Sequence, residues 1–270
     1  MQWRMLHDFR STLKTNAAFL RGTFAGIFPR FIRTDGRLSW VNVVELPELQ
    51  TIGVEAVAGD AALLKQAFAR AVARMRSQLS AVWTGLTDVD FAYVFASTAA
   101  HRLKPYGPGC PSQQFSALLE APFLDCSNYG LLAYYISLLL VDETDRRSIS
   151  FIGWDGGAVG NHQMLFVGDK GKRPTLALDP TLGIACIADF DEVASGNPIP
   201  PDAVAIIGAS AELKDSRQEF IRALLEGQFR PSDLLYYFHT AEDYLSRYGN
   251  PFDWPTPAVS VLRNRSSVIA

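Results

Sequence analysis

Hydrophobic residues recur at helical spacing in two segments of the first half of the chain. In "DAALLKQAFARAVARMRSQLSAVW" apolar side chains follow one another at intervals of three and four residues, and Asp60 is placed to cap the start. This pattern predicts a helix of about 22 residues. A second helix is expected from Asp88 to Leu103. The loop "KPYGPGCP" follows it, because Pro and Gly interrupt regular structure.

A third helix is predicted from 126 to 140, and its composition differs from that of the first two. The segment "CSNYGLLAYYISLLL" is apolar nearly all round, which is typical of a helix buried on every side. Cys126 would be its first residue, directly after Asp125. The helix therefore begins with the one thiol of the chain that precedes a long apolar run.

After this helix the pattern changes from helical periodicity to short strands. The segments "SISFIGW", "HQMLFVG" and "PTLALD" are rich in β-branched and bulky residues, and glycine-containing loops separate them. Helices are expected again at 211–226 and 231–247. Helices, then antiparallel strands, then helices predict an α+β domain.

The same patterns divide the 270 residues into three parts. We expect a basic helical extension at 1–59, a core at 60–210, and a helical segment with a polar tail at 211–270. Residues 1–38 contain seven Lys or Arg and two Asp, although the formal net charge of the chain is -3. This segment is suited to contact an acidic partner or a membrane surface. The overall charge gives no reason to expect a nucleic-acid partner.

Composition narrows the class of protein. Hydrophobic residues make up 48% and charged residues 20%, which is ordinary for a soluble globular protein. No apolar run reaches the roughly 18 residues of a membrane span. The three cysteines form neither a disulfide framework nor a zinc pair, and no acidic run has the spacing of an EF-hand calcium loop. We therefore expect a cytoplasmic protein that uses no metal or cofactor.

The turn between the second and third predicted strands determines which residues face each other. If Lys170 and Gly171 form its tip, His162 lies directly opposite Asp179, with both side chains on one face of the sheet. A carboxylate there can accept the imidazole N–H, fix its tautomer and stabilise its protonated form. A slip by one residue would put the two side chains on opposite faces.

Cys126 is the candidate nucleophile of this arrangement. The positive end of the helix dipole and the free N–H groups of the first turn favour the thiolate, as would a nearby imidazolium. Cys126, His162 and Asp179 would then be the nucleophile, the base and the residue that orients the base. The backbone N–H of Cys126 would be one oxyanion-hole donor, and Gln113 or Gln114 could supply a second.

These residues and motifs resemble those of the transglutaminase-like superfamily of cysteine enzymes. The shared features are a Cys that opens a helix in "LDCSNYGLLAYYISLL", a His that opens a strand in "NHQMLFV", and an Asp that closes the next strand in "LDPT". The resemblance covers about 60–185. It implies a papain-like α+β core in which Cys126 is the nucleophile, His162 the base and Asp179 the orienting acid.

The combination predicts an enzyme of thiol acyl transfer on a peptide or other amide substrate. Cys126 would attack the amide carbonyl, His162 would protonate the leaving amine, and water or another amine would resolve the thioester. Hydrolysis, as by a peptidase, amidase or deamidase, is favoured because no binding element for an acceptor amine is visible.

Three alternatives remain open from the sequence. Protein cross-linking by a transglutaminase would use the same residues. A cell-wall-type cysteine peptidase also introduces its Cys as "DCS" before a helix, but an export signal is not visible and "LDPT" argues against it. A non-catalytic binding module on the same fold is the third alternative.

Overall fold

The computed structural model describes residues 31–34, 37–59, 61–154, 162–169, 175–228 and 239–240, and its architecture is α+β. The helices of these residues are α1 Val54–Gly59, α2 Ala61–Gln78, α3 Asp88–Leu103, α4 Phe115–Glu120, α5 Cys126–Leu140, α6 Phe190–Ala194 and α7 Lys214–Glu226. The strands are β1 Phe31–Thr34, β2 Arg37–Trp40, β3 Asn42–Val43, β4 Ser148–Trp154, β5 His162–Gly168, β6 Leu176–Asp179, β7 Ile184–Ile187, β8 Val204–Ile206 and β9 His239–Thr240.

Seven of the strands form one mixed sheet in the order β3-β8-β7-β6-β5-β4-β9. β3 and β8 run parallel, whereas the other neighbours are antiparallel. β1 and β2 form a separate antiparallel pair. The chain therefore builds its central layer mainly from consecutive antiparallel strands.

Both faces of the sheet are covered, and the side chains of β5 alternate between two apolar clusters. Leu165 and Val167 point into the cluster that contains helices α2 to α5, while Met164 and Phe166 point into the cluster that contains α6 and α7. Because both faces are buried, the central strands are apolar along their whole length rather than at every second position. This is why the strand segments read as continuous hydrophobic runs.

Helix α5 packs against both α3 and β5. Every residue from Asn128 to Leu140 is buried, as the uniformly apolar sequence predicts. α3 begins with a capping box in which Thr87 and Asp90 bond each other's backbone N–H groups. The predicted bounds of α3, α5, β4 and β5 are confirmed.

The predicted helical extension at 1–59 is wrong at 31–34, 37–40 and 42–43, which form β1, β2 and β3. The sequence between β1 and β2 is Asp35-Gly36, a pair typical of two-residue hairpin loops, and the alternation around it is a strand pattern. These two residues, residues 1–30 and the predicted cap Asp60 lie outside the described residues. β3 also joins the main sheet, beside β8.

In the C-terminal part, α7 confirms the helix predicted at 211–226, with its start at Lys214. The helix predicted at 231–247 is wrong at 239–240, which pair with β4 as β9. The rest of that segment lies outside the described residues. The exposed backbone groups of an edge strand are a template for such pairing, and helical propensity alone does not take them into account.

None of the helices within the described ranges is long and apolar enough to cross a membrane.

Candidate active site

Three candidate residues lie at the same end of the sheet because of its antiparallel order. His162 is the first residue of β5, and Asp179 is the last residue of the antiparallel neighbour β6. Cys126 is the first residue of α5, which packs on β5. The fold therefore brings together side chains that are up to 53 positions apart in the sequence.

His162 and Asp179 are directly hydrogen-bonded. The Nε2–H of His162 donates to Oδ2 of Asp179 over 2.8 Å, and the two side chains are 5% and 0% exposed. The other carboxylate oxygen, Oδ1, accepts the backbone N–H of Leu182 at 2.9 Å. The carboxylate is held at both oxygens, which fixes its orientation toward the imidazole.

The register between β5 and β6 differs by two residues from the predicted one. Leu165 pairs with Leu178, whereas a tip at 170 and 171 would have paired it with Leu176. His162 and Asp179 are therefore not directly opposite, as predicted, but diagonal. An offset of two leaves both on the same face, and diagonal neighbours are within reach of a long side chain. The tip itself lies outside the described residues.

Cys126 lies near the same imidazole. Its side chain is half-buried, and after Asp179 it is the second group whose hydrogen bonding and charge raise the pKa of His162. Since Nε2 is bonded to Asp179, a base for this thiol would act through Nδ1. The imidazole is thus near both the thiol and the carboxylate.

The charge state of His162 follows from its neighbours. Burial alone would lower its pKa, but the charge and hydrogen bond of Asp179, with a further contribution from Cys126, raise it to about 10. The imidazole is therefore protonated at neutral pH. An imidazolium beside a sulfur favours the thiolate form of that sulfur.

The start of α5 is held in place by a capping box and by hydrogen bonds to the preceding loop at Cys110. Asp125 accepts the N–H of Asn128 at 2.9 Å, and Asn128 accepts the N–H of Asp125 in return. Asn128 also accepts the N–H of Cys110 at 2.6 Å and donates to its carbonyl at 3.2 Å. Gly109 lies so close that a Cβ there would be 2.0 Å from Oδ2 of Asp125. The helix cap and the loop before it thus fix the helix start, and with it the position of Cys126.

The two predicted oxyanion-hole glutamines directly precede α4. The carbonyl of Gln113 accepts the hydroxyl of Tyr135 at 2.9 Å, well along α5, and its side-chain Oε1 is buried without a hydrogen-bond partner among the described residues. Gln114 is exposed and occupies the N-cap position of α4 without a side-chain capping bond. No described contact joins either side chain to Cys126, so a second donor from these residues stays a prediction. The N–H of Cys126 has no intrahelical acceptor, because it is in the first turn of α5.

The other two cysteines have different surroundings. Cys186 is fully buried on β7, and burial, followed by the charge of Asp179, raises its pKa to about 12. Cys110 is half-buried, and its thiol donates weakly to the carbonyl of Ala117 at 3.7 Å. Among the described residues, no contact joins either of these thiols to an imidazole.

A cavity of about 740 Å³ lies at the same end of the sheet. Asp179 pairs with Ile184, Ile184 with Ile206, and Ile206 with Val43, so these residues form one row across four strands. Val43 and Ile206 line the cavity, which places it roughly 10 Å along this row from Asp179.

Tyr106 connects this cavity to the nucleophile. It lines the cavity, is 44% exposed, and has its pKa raised by burial and then by the charges of Cys126 and Asp125. Tyr129, three residues after Cys126 on the same face of α5, also lines it. Sequence reasoning missed Tyr106, and the only signal was its place in the Pro- and Gly-rich loop before the cysteine.

The sequence offers no acidic or thiol partner for His101 and so predicts a surface or packing residue. His101 is buried, and its ring contacts the carbonyls of Pro180 and Thr181 directly after Asp179. Arg217 of α7 is 1% exposed and reaches the same turn. His101 and Arg217 are far from Asp179 in the sequence, so no residue spacing could have predicted these contacts.

No group of three or more His, Cys, Asp or Glu in the described ranges is arranged to hold a metal ion. Comparison of the chain with protein-family models, with curated proteins and with solved structures finds no match.

Proposed function

We propose that this protein is a thiol hydrolase that cleaves an amide bond through a thioester on Cys126. The observation that carries the proposal is the position of His162, whose imidazole is hydrogen-bonded to a buried carboxylate and lies near the Cys126 thiol, which adds to the rise of its pKa. This is the arrangement of a nucleophile, its base and the group that orients the base.

The chemistry can be written through these groups. The Cys126 thiolate attacks the amide carbonyl carbon, and the N–H of Cys126 is placed to stabilise the resulting oxyanion. His162 gives its Nδ1 proton to the leaving nitrogen as the C–N bond breaks, which leaves a thioester and a free amine. Neutral His162 then takes a proton from water, whose oxygen attacks the thioester, so that the acid and the thiolate are released.

The family assignment belongs to the same proposal. A helix that begins with the nucleophile and packs on antiparallel strands carrying the His and the Asp is what the resemblance to the transglutaminase-like superfamily implies. The α+β architecture and the order Cys126, His162, Asp179 are compatible with a papain-like core of that kind.

The cavity is the part of the surface best suited to hold the acyl side of the substrate. Its volume of about 740 Å³ is within the range of small-ligand sites, and Leu46, Leu49 and Ile207 give it an apolar wall. Tyr106 and Tyr129 connect it to the nucleophile. An amide with an apolar acyl group would therefore place its carbonyl near Cys126.

The test is trapping of the acyl-enzyme. The purified full chain is mixed with a panel of fluorogenic amides whose acyl groups range from acetyl to long apolar chains and short peptides, and intact protein mass is measured after rapid acid quench. We expect an adduct equal to the acyl mass on Cys126, and release of the fluorophore.

Two controls make the result specific. Cys126→Ala should abolish both adduct and turnover, whereas Cys110→Ala should retain both. Addition of a primary amine such as glycine methyl ester separates hydrolysis from transamidation, because a transamidase would form the new amide in preference to the acid. An adduct that persists in Cys126→Ala, or no adduct and no turnover with any member of the panel, would count against the proposal and favour the binding-module alternative.

A further inference from the structure

The turn that follows Asp179 presents its backbone carbonyls to the protein interior. Residues 180–182 connect β6 toward β7, and all of them are buried. Buried carbonyl oxygens are costly unless a donor satisfies them. Two side chains from different helices supply these donors.

His101, on α3, satisfies the first part of the turn. Its Nδ1 lies 2.9 Å from the carbonyl of Pro180 and 3.1 Å from that of Thr181, while Nε2 accepts the backbone N–H of Ser210 at 3.2 Å. These partners require a neutral ring with the proton on Nδ1. Burial, followed by the charge of Arg217, lowers the pKa of His101 to about 4, in agreement with a neutral ring.

Arg217, on α7, satisfies the second part. Its Nε donates to the carbonyl of Leu182, and Nη2 donates to the carbonyl of Ser210 at 3.0 Å. Burial lowers the pKa of Arg217 to about 10, and the charge of Asp179 acts against that shift. The guanidinium therefore stays positive beside the carboxylate that His162 also contacts.

Ser210 links the side chains of His101 and Arg217 into one hydrogen-bond network. It donates its N–H to His101 and accepts from Arg217. The neighbouring backbone approaches closely: a Cβ on Gly208 would be 2.2 Å from the His101 ring, and one on Gly183 would be 2.6 Å from the Gly208 carbonyl. Gly183 also has a φ of +68°, which favours glycine. The turn is thus fixed from both layers of helices.

We propose that Arg217 and His101 are positioning residues: they hold the turn that carries Asp179, and through it the hydrogen bond from His162 to Asp179. The inference rests on the proposed function, since it assigns these residues to the same site. The Leu182 N–H donates to Oδ1 of Asp179, and the Leu182 carbonyl accepts from Arg217. Movement of the turn would therefore move the donor that holds the Asp179 carboxylate. Arg217 contributes a positive charge that attracts the Asp179 carboxylate, and the charge of that carboxylate raises the pKa of His162.

The test is the pH dependence of Cys126 alkylation by iodoacetamide in the folded full chain, with site mapping by mass spectrometry. In the wild type the imidazolium of His162 keeps Cys126 reactive at pH 6. In Arg217→Met we expect the midpoint of the profile to move up by about one pH unit, which is about a tenfold lower rate at pH 6. The rate at pH 9 should be unchanged, because the thiolate then forms without help from the imidazolium.

Three further variants make the test specific. Arg217→Lys keeps the charge but not the fork of donors, and should give an intermediate shift. His101→Gln, which removes the ring from the turn, should shift the midpoint in the same direction. Arg222→Met, an exposed arginine on the same helix, should leave the profile at the wild-type position.

A purely structural role predicts another pattern. Folded variants at Arg217 and His101 would then melt at lower temperature but keep the wild-type midpoint, and this would overturn the proposal. Failure of all of these variants to fold, judged by circular dichroism, would also count against it, because the residues would then serve stability alone. The proposed function fails separately, when wild-type Cys126 is no more reactive at pH 6 than Cys110.

Discussion

Cys126 differs from the other two cysteines in the charges around its sulfur. It is the first residue of a helix and lies near the His162 imidazole, whose pKa is raised, whereas Cys110 contacts a carbonyl and Cys186 is buried with a raised pKa. Only a thiolate is an effective nucleophile. We therefore expect Cys126 to be alkylated at least tenfold faster than either of the others at pH 6.

This prediction is checked by iodoacetamide labelling of the folded chain, followed by peptide mapping. At pH 9 the ratio between Cys126 and Cys110 should narrow, because ordinary thiols also form thiolate at that pH. Equal labelling of the two at pH 6 would show that His162 does not activate the thiol.

Asp179 is the residue whose charge should matter most. Asp179→Asn keeps the shape and can still accept the Leu182 N–H at Oδ1, but its Nδ2 would donate to Nε2 of His162 and select the wrong tautomer. We expect turnover to fall by orders of magnitude, on the scale of about 10⁴ seen in other triads.

Cys126→Ala is the matched comparison. It removes a small, half-buried group, so the free energy of unfolding should change by about 1 kcal/mol or less while turnover is lost. Turnover of both variants at the wild-type rate, measured with a substrate found by acyl trapping, would refute the triad. A large loss of stability at 126 without loss of activity would indicate a packing role.

Among the elements, the start of α5 and the loop before it form one unit. Gly109 allows the loop to lie against Asp125, because any side chain there would overlap the carboxylate. Gly109→Ala should therefore displace either the loop or the helix cap and lower the free energy of unfolding by about 1–3 kcal/mol. Because the cap precedes Cys126 directly, alkylation of Cys126 at pH 6 should fall as well.

Gly85→Ala is the control for this change. A Cβ at Gly85 has no atom within 4 Å, so the same substitution should leave stability and alkylation near the wild-type values. Both quantities are measured by urea unfolding and by site-mapped labelling. Equal effects of the two substitutions would show that the loop does not position the helix start.

At the scale of the whole molecule, two buried histidines among the described residues make opposite contributions to the pH dependence of stability. The pKa of His162 is raised from 6.5 to about 10 on folding, so its contribution is fully present below pH 6.5 and is lost as the pH rises through about 10. The pKa of His101 is lowered from 6.5 to about 4, so its contribution is present above pH 6.5 and is lost as the pH falls toward about 4. Stability should be greatest near pH 6.5.

Urea unfolding midpoints between pH 5 and pH 9 test this expectation. Cys126→Ala is the suitable background, because the thiol then does not titrate and Asp179 remains the larger cause of the His162 shift. Adding Asp179→Asn should flatten the fall above pH 6.5, and adding His101→Gln should flatten part of the fall below it. A stability that is level from pH 6.5 to 9 in this background would contradict the charge assigned to His162.

Local patterns in the sequence determined the central elements of the fold. The bounds of α3, α5, β4 and β5 follow from apolar periodicity, caps and glycine-containing loops, which act within a few residues of each position. The same patterns placed Cys126 at a helix start and put His162 and Asp179 on one face of neighbouring strands. The shared face was predicted although the register was not, because a register offset of two residues leaves a side chain on the same face of the sheet.

The tertiary structure decided what depends on contacts between distant segments. The short strands β3, β7 and β8 have too few residues to show a period, and they exist because neighbouring strands offer backbone partners. The support of the Asp179 turn by His101 and Arg217 joins residues that are 78 and 38 positions away from Asp179. Sequence spacing cannot encode such a contact, because buried carbonyls find their donors only after the helices have packed on the sheet.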